Sequence, residues 1–320
     1  MNFDLERGSI LPTLAYFDMF DYPLTEQELE RFLYTDYTDF KIDYTDFVRA
    51  LDENGSLRGV AERSRGFYFL PGREEIIERR KQGRRLFEEK IKIAQKAMRK
   101  ILWVPFVRAV FVCNTSTGVG IKEGSDIDVF VIVRQGRLWL SRILVTFVLG
   151  LFRFRRTRAK IKNKICLSFY VTDNRLNLLD IALKEDVYLM YWLALLIPIY
   201  DPDNLGKSLW AANQWATKHL PNAFKGEMNK EWQVGDGRIA KKIKNTFEKW
   251  WGGKYGDLME KQAREAQKIR MKMNTSSIQN LPDTRVVVND EMLKFHEGDR
   301  REEYRDRWMR KCQSFNQTSP

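Results

Sequence analysis

The sequence predicts an α/β fold: a core of strands between an N-terminal unit of three helices and a hairpin, and a C-terminal part that is mostly helical. Three observations predict it. Residues 110–133, VFVCNTSTGVGIKEGSDIDVFVIV, set two apolar runs around a Thr/Ser/Gly-rich turn, as two strands do. A further apolar run at 164–172, KICLSFYVT, follows a helical stretch at 137–154. Beyond residue 176 the chain reads as a series of helices broken by Gly-, Pro- and Asn-containing turns.

From the N-terminus, residues 10–20 read as a first helix, stopped before Pro23. Thr25 and Glu28 form a capping box for a short second helix to about Tyr34. A third helix runs from Tyr44 to Glu53 and ends at Asn54-Gly55, residues that tolerate the left-handed conformation. Residues 56–61 and 66–70 flank the polar turn Glu62-Arg63-Ser64-Arg65 as in a hairpin. This arrangement resembles a winged helix-turn-helix domain, residues 1–72. The third helix carries Asp46, Asp52 and Glu53 against a lone Arg49, which suits a protein contact better than a phosphate backbone. A charged connecting helix, 73–100, leads into the core, 101–175. A helical domain, 176–273, follows, with an apolar helix over 186–198, helices over 210–220 and 238–251, and a basic amphipathic helix over 255–273. The last segment, 274–320, reads as a polar linker, a brief strand at 285–288, and a charged helix over 291–311 with Asp290 as its cap.

Composition narrows the class. The 320 residues are 43% hydrophobic and 31% charged, as in globular chains. No run of about 20 apolar residues is present, so no membrane partner is expected. Three cysteines without CxxC spacing and two histidines argue against zinc and for a reducing, cytoplasmic setting; no signal peptide is expected from the acidic, polar start. The net charge of +12 is unevenly spread: residues 1–70 carry 7 Lys/Arg and 14 Asp/Glu, so the excess of positive charge lies in the remainder. Polyanions are therefore expected there, and a protein partner at the acidic N-terminal unit.

The chemistry centres on Ser125-Asp126-Ile127-Asp128. Alternation along a strand puts Asp126 and Asp128 on one side, where two carboxylates repel unless a cation lies between them. Hard oxygen donors of this kind suit Mg²⁺; the plainer reading is a solvated pair at a strand start. Residues 129–172 contain ten Lys/Arg and no Asp/Glu, as a groove for polyphosphate or RNA requires, or as a solvated basic loop allows.

On these motifs the core resembles the nucleotidyltransferase superfamily that includes DNA polymerase beta, aminoglycoside nucleotidyltransferases and tRNA CCA-adding enzymes. Ser125-Asp126-Ile127-Asp128 matches its Ser-Asp-x-Asp, and Asn114-Thr115 stands where a Gly-Ser turn is expected. More of the chain, through Val171-Thr172-Asp173 to residues 293–297, resembles an uncharacterised bacterial group of such proteins with an N-terminal winged helix. The resemblance implies an α/β fold with a nucleotidyltransferase-type mixed sheet core and transfer of a nucleoside monophosphate from an NTP to a hydroxyl. It further implies two Mg²⁺ ions on Asp126 and Asp128, phosphate binding by Asn114, Thr115, Ser116, Ser125 and the turn near Gly118 and Gly120, and a third carboxylate on a neighbouring strand. The strand 164–172 holds no acid, so Asp173 at its end is the nearest candidate, either as that third ligand or as the cap of a turn. RNA is the preferred acceptor, through the basic segments 134–164 and 238–272. Two other classes stay open: a non-catalytic nucleic-acid-binding or assembly protein on the same fold, and a transcription regulator. Among further residues, Trp139 is a base-stacking candidate or a core residue, and His296 and Glu297 are acid/base candidates or simply packed or exposed.

Overall fold

A computed structural model describes residues 6–36, 44–52, 60–114, 118–273 and 283–317. The N-terminal unit comprises α1 (Leu11–Asp18), β1 (Leu24–Thr25), α2 (Glu26–Arg31), α3 (Tyr44–Asp52), β2 (Glu62–Ser64) and β3 (Phe67–Phe69). Its strands form a small antiparallel sheet in the order β1-β3-β2. The capping box is present: Thr25 Oγ1 accepts from Glu28 N–H, and Glu28 accepts from Thr25 N–H. The hairpin turns later than the polar run suggests. Arg65 and Gly66 both take positive φ (52° and 80°), so Glu62–Ser64 is strand, and the turn falls where a glycine permits it. Residues 53–59, which hold the expected end of the third helix and most of the first hairpin arm, lie outside the described set.

The helix α4 (Ile76–Ile101) leads to β4 (Val107–Val112), β5 (Ile127–Val133), α5 (Leu138–Leu151) and β6 (Ile165–Thr172). Next come α6 (Val187–Ala194), β7 (Ile197–Tyr200), α7 (Leu205–Ala212), α8 (Gln214–Thr217), α9 (Arg238–Trp250) and α10 (Lys254–Lys272). The chain closes with β8 (Val286–Val288), β9 (Met292–Phe295) and α11 (Arg301–Gln317). Six strands make one mixed sheet in the order β7-β4-β5-β6-β9-β8. Only the β5–β6 pair is parallel, as its connection through α5 requires.

Two segments expected to be helical contribute strands. The apolar helix ends at Ala194, and 197–200 extends to pair with β4; continuous apolarity at 187–200 could not separate a buried helix from a buried strand. Residues 292–295 pair with β6 and β8 and do not begin a helix, which starts only at Arg301. Asp290 accordingly sits at the β8–β9 turn, accepting from Trp139 Nε1 (2.9 Å) and pairing with Arg264 (3.0 Å). Trp139 is 1% exposed, a core residue.

Side-chain alternation along β5 divides the interior. Ile127, Val129, Val131 and Val133 face a core formed with α4, α5 and α10. Phe130 and Ile132 face the other core, shared with the N-terminal unit, α6 to α8 and α11. The N-terminal unit is tied to the rest by Tyr16 stacked on Tyr191 (3.9 Å between centroids), Trp308 Nε1 donating to Pro12 O (2.8 Å), and Lys311 on the buried carboxylate of Asp18 (2.7 Å). No helix among the described residues is long and apolar enough to cross a membrane.

Candidate active site

Asp128 is the second residue of β5, on the same face as Phe130 and Ile132, and Asp126 immediately precedes the strand. Both line a cleft of about 660 Å³ whose other walls include Asn114, Arg156, Tyr188 and the β9–α11 segment from Lys294 to Arg301. The parallel register places Cys166 of β6 directly beside Asp128. A bulge then follows, for Phe130 pairs with Phe169, so that β6 returns its large side chains to the core after presenting Cys166. One carboxylate oxygen each from Asp126 and Asp128 and the Cys166 sulfur lie within 4.8 Å of one another.

The counter-charges come from outside the strands. Arg156 Nη1 lies 3.0 Å from Asp126 Oδ2 and 3.5 Å from Cys166 Sγ. Lys90 of α4, 1% exposed, donates to Ser125 O (2.6 Å) and Asn163 Oδ1 (3.1 Å), clamping the turn that precedes β5. Burial and the neighbouring Asp126 raise the Asp128 carboxyl above the usual carboxylate range, against hydrogen bonds from Asn114 and Cys166. Burial and Asp128 push the Cys166 thiol up to about 12, so it is neutral at pH 7. Burial disfavours the Arg156 cation, but its contacts with Cys166 and Asp126 outweigh this and raise its pKa.

On the opposite wall, burial and then Arg301 lower Lys294 to about 8, while its Nζ donates to Thr284 O (2.7 Å) and Asp299 Oδ2 (3.0 Å). His296, lowered to about 4 by burial and Lys294, is neutral at pH 7 with Nε2 3.1 Å from Ser168 Oγ. The buried pair Arg301–Asp186 (2.8 Å) fixes this wall to the start of α6, whose amide at Leu189 Asp186 caps.

The expected site residues divide accordingly. Asn114, Asp126 and Asp128 come together. Asn114 takes φ 56°, the left-handed conformation that a Gly would otherwise supply. Thr115 and Ser116 lie outside the described residues. The Ser125 hydroxyl turns back to Lys122 O (2.9 Å), capping its own turn. Gly118 and Gly120 pack against Phe87 and Phe20, and Gly118 lines a separate cavity of about 530 Å³ beside the N-terminal unit. Asp173 is not brought to the pair. It follows β6 at the far end, seven residues beyond Cys166 and so roughly 20 Å away at strand rise. There it accepts from Gln135 N–H (2.9 Å) and neighbours Arg108 (4.0 Å), the local structural role of a strand-end acid.

Sequence reasoning passed over Cys166, Lys90 and Lys294. Cys166 has a readable signal: it stands second in the β6 strand as Asp128 stands second in β5, and parallel neighbours entering a sheet together align at such positions. Lys90 has none, being one lysine among many on a charged helix. No family model matches the chain, and no curated protein or solved structure matches it.

Proposed function

We propose that this chain is a divalent-cation-dependent nucleotidyltransferase, moving a nucleoside monophosphate from an NTP to a hydroxyl acceptor, with RNA the preferred acceptor class. The observation that carries the reading is the Asp126–Asp128 pair lining a cleft large enough for a nucleotide, where burial and then the neighbouring Asp126 raise the Asp128 carboxyl. The donor chemistry fits Mg²⁺ at the two carboxylates and not at the neutral thiol of Cys166. A bound cation there would polarise phosphate oxygens and lower the pKa of the attacking hydroxyl.

The chain's own groups supply the rest of the binding. Asp126 and Asp128 would hold a cation, and Arg156, 3.0 Å from Asp126, would receive a phosphate oxygen. The exposed basic loop from Arg153 to Lys164 adjoins Arg156 and leads a polyanionic acceptor toward the cleft. His296 across the cleft stays neutral, with Nε2 held at Ser168 Oγ, and lines the site without adding charge.

Cys166 in the place of a third carboxylate favours a second reading, in which the cleft binds a nucleotide without turning it over. The two are separated by incubating the protein with each α-labelled NTP, Mg²⁺ and total RNA or protein, beside an Asp126→Ala/Asp128→Ala control. Label transfer lost in the control is expected. Nucleotide binding without transfer supports the second reading, and transfer indifferent to the double substitution removes the site from the reaction.

A further inference from the structure

The surface opposite the cleft combines two properties that soluble faces keep apart. Thirteen large hydrophobic side chains are exposed among the described residues, and ten of them fall in residues 138–152 and 238–273. The same two segments hold 12 Lys/Arg against 4 Asp/Glu, two-thirds of the +12 of the whole chain. Those acids are already engaged: Glu248 with Arg108, Asp257 with Arg137, Glu265 with Arg264, and Glu260 with the amides of Trp139 and Leu140. Positive charge and exposed apolar area therefore share one face.

The helix α9 shows the arrangement most plainly. Ile239 (78% exposed), Ile243 and Trp250 (66%) recur at helical spacing along one edge. Arg238, Lys241, Lys242 and Lys249 are exposed beside them, while Lys244 alone turns inward to Val107 O and Tyr200 Oη. The apolar strip continues through ring contacts from Trp250 to Phe247 and from Phe247 to Trp103. Lys100, one turn before Trp103, lies over the ring of Phe152 (4.6 Å), which adjoins exposed Leu151 and Phe147 at the end of α5. The helices α5 and α10 are joined by Gln267, which donates to Trp139 O and accepts from Arg142. This layer covers the sheet face turned away from Asp128, Phe130 and Ile132, and a flat partner there leaves the cleft open.

We propose that this layer docks in the plane of an anionic phospholipid surface, with Ile239, Ile243 and Trp250 entering the headgroup–acyl boundary and the flanking Lys/Arg reaching lipid phosphates. This contact lies on a bilayer and spans nothing, in keeping with the described helices, none of which is long and apolar enough to cross one. Lipid is the occupant that satisfies both properties. RNA would neutralise the charge but leave aliphatic Ile239, Leu151 and Met273 without a stacking or apolar partner. A second copy of the chain would set positive charge against positive charge. Long Lys and Arg stems lie along apolar surface while their heads reach the phosphates.

The test is sedimentation of the full chain with phosphatidylcholine vesicles and with phosphatidylcholine–phosphatidylglycerol vesicles, beside single-stranded RNA binding and light scattering. Binding to the anionic vesicles, screened by salt, is expected. Ile239→Glu/Ile243→Glu should weaken it by at least roughly tenfold, from the apolar burial lost. Because both side chains are exposed, the variant should keep the parent's melting temperature; Ile269→Glu, on α10, is a second variant that should weaken binding independently. No vesicle binding, equal binding to neutral and anionic vesicles, or indifference to both variants overturns the proposal. RNA binding or a concentration-dependent dimer that is lost in the Ile239→Glu/Ile243→Glu variant, without vesicle binding, reassigns the face.

Discussion

The two ends of the β5–β6 pair carry similar ionic groups whose carboxyls are shifted in opposite directions. At the Asp173 end, Glu248 accepts from Arg108 (2.8 and 3.0 Å) and from the amide of Phe106 (2.7 Å), while Asp173 takes the amide of Gln135. Each acid there has a donor in the fold, and the Glu248 carboxyl is held below its usual range: burial opposes this, but the Arg108 and Phe106 bonds prevail. At the Asp128 end Arg156 pairs with Asp126, and Asn114 and Cys166 hydrogen-bond Asp128, yet burial and the neighbouring Asp126 still leave the Asp128 carboxyl raised. Donors that outweigh burial mark a structural end, and a carboxyl raised in a cleft despite its donors marks the candidate site.

Removing a partner should therefore hurt most at the structural end. Glu248→Ala leaves the largely buried Arg108 guanidinium and the Phe106 amide without their acceptor, and unfolding free energy in urea should fall by about 3 kcal/mol. A loss within ±0.5 kcal/mol would show that the donors at this end do not outweigh burial. Asp128→Asn should do the reverse at the cleft. A raised folded pKa means that the native state binds the proton more tightly than the unfolded chain does. The charged carboxylate thus destabilises at pH 7, and that penalty is relieved as pH falls through the folded pKa toward 3.8. The variant should be the more stable protein at pH 7, and its advantage should vanish in acid.

Lysines at both ends give a smaller, shared effect. Lys244, at the Asp173 end, and Lys294, in the cleft wall, are each lowered to about 8. Above pH 8 the folded state releases protons that the unfolded chain still holds, so these groups add stability as pH rises from about 8 toward 10. Lys244→Met should flatten that rise in pH-dependent urea titrations; an unchanged slope would count against the burial of its ammonium. Smallest of all, Asp173→Asn keeps an acceptor for Gln135 and should cost under about 1 kcal/mol.

How much of this is legible in the sequence follows from what each element depends on. The strands at 127–133 and 165–172 are legible because both their faces are buried, which writes an unbroken apolar run. The strands at 197–200 and 292–295 are not, because their identity depends on partners far along the chain: β7 reads as the tail of an apolar helix, and β9 as the start of a charged one. In the cleft, the closeness of Asp126 and Asp128 is legible from their spacing at the start of a strand. Asp173 misleads because distance along a strand is invisible to a motif, and Arg156 is hidden within a basic run until the fold turns it onto Asp126.

The most direct measurement is Mn²⁺ binding followed by electron paramagnetic resonance, with Mn²⁺ standing in for Mg²⁺. Saturable binding is expected in the parent and in Asp173→Asn, with loss in Asp126→Ala/Asp128→Ala. Equal binding by the double variant, or loss in Asp173→Asn, would contradict the assignment of the two ends.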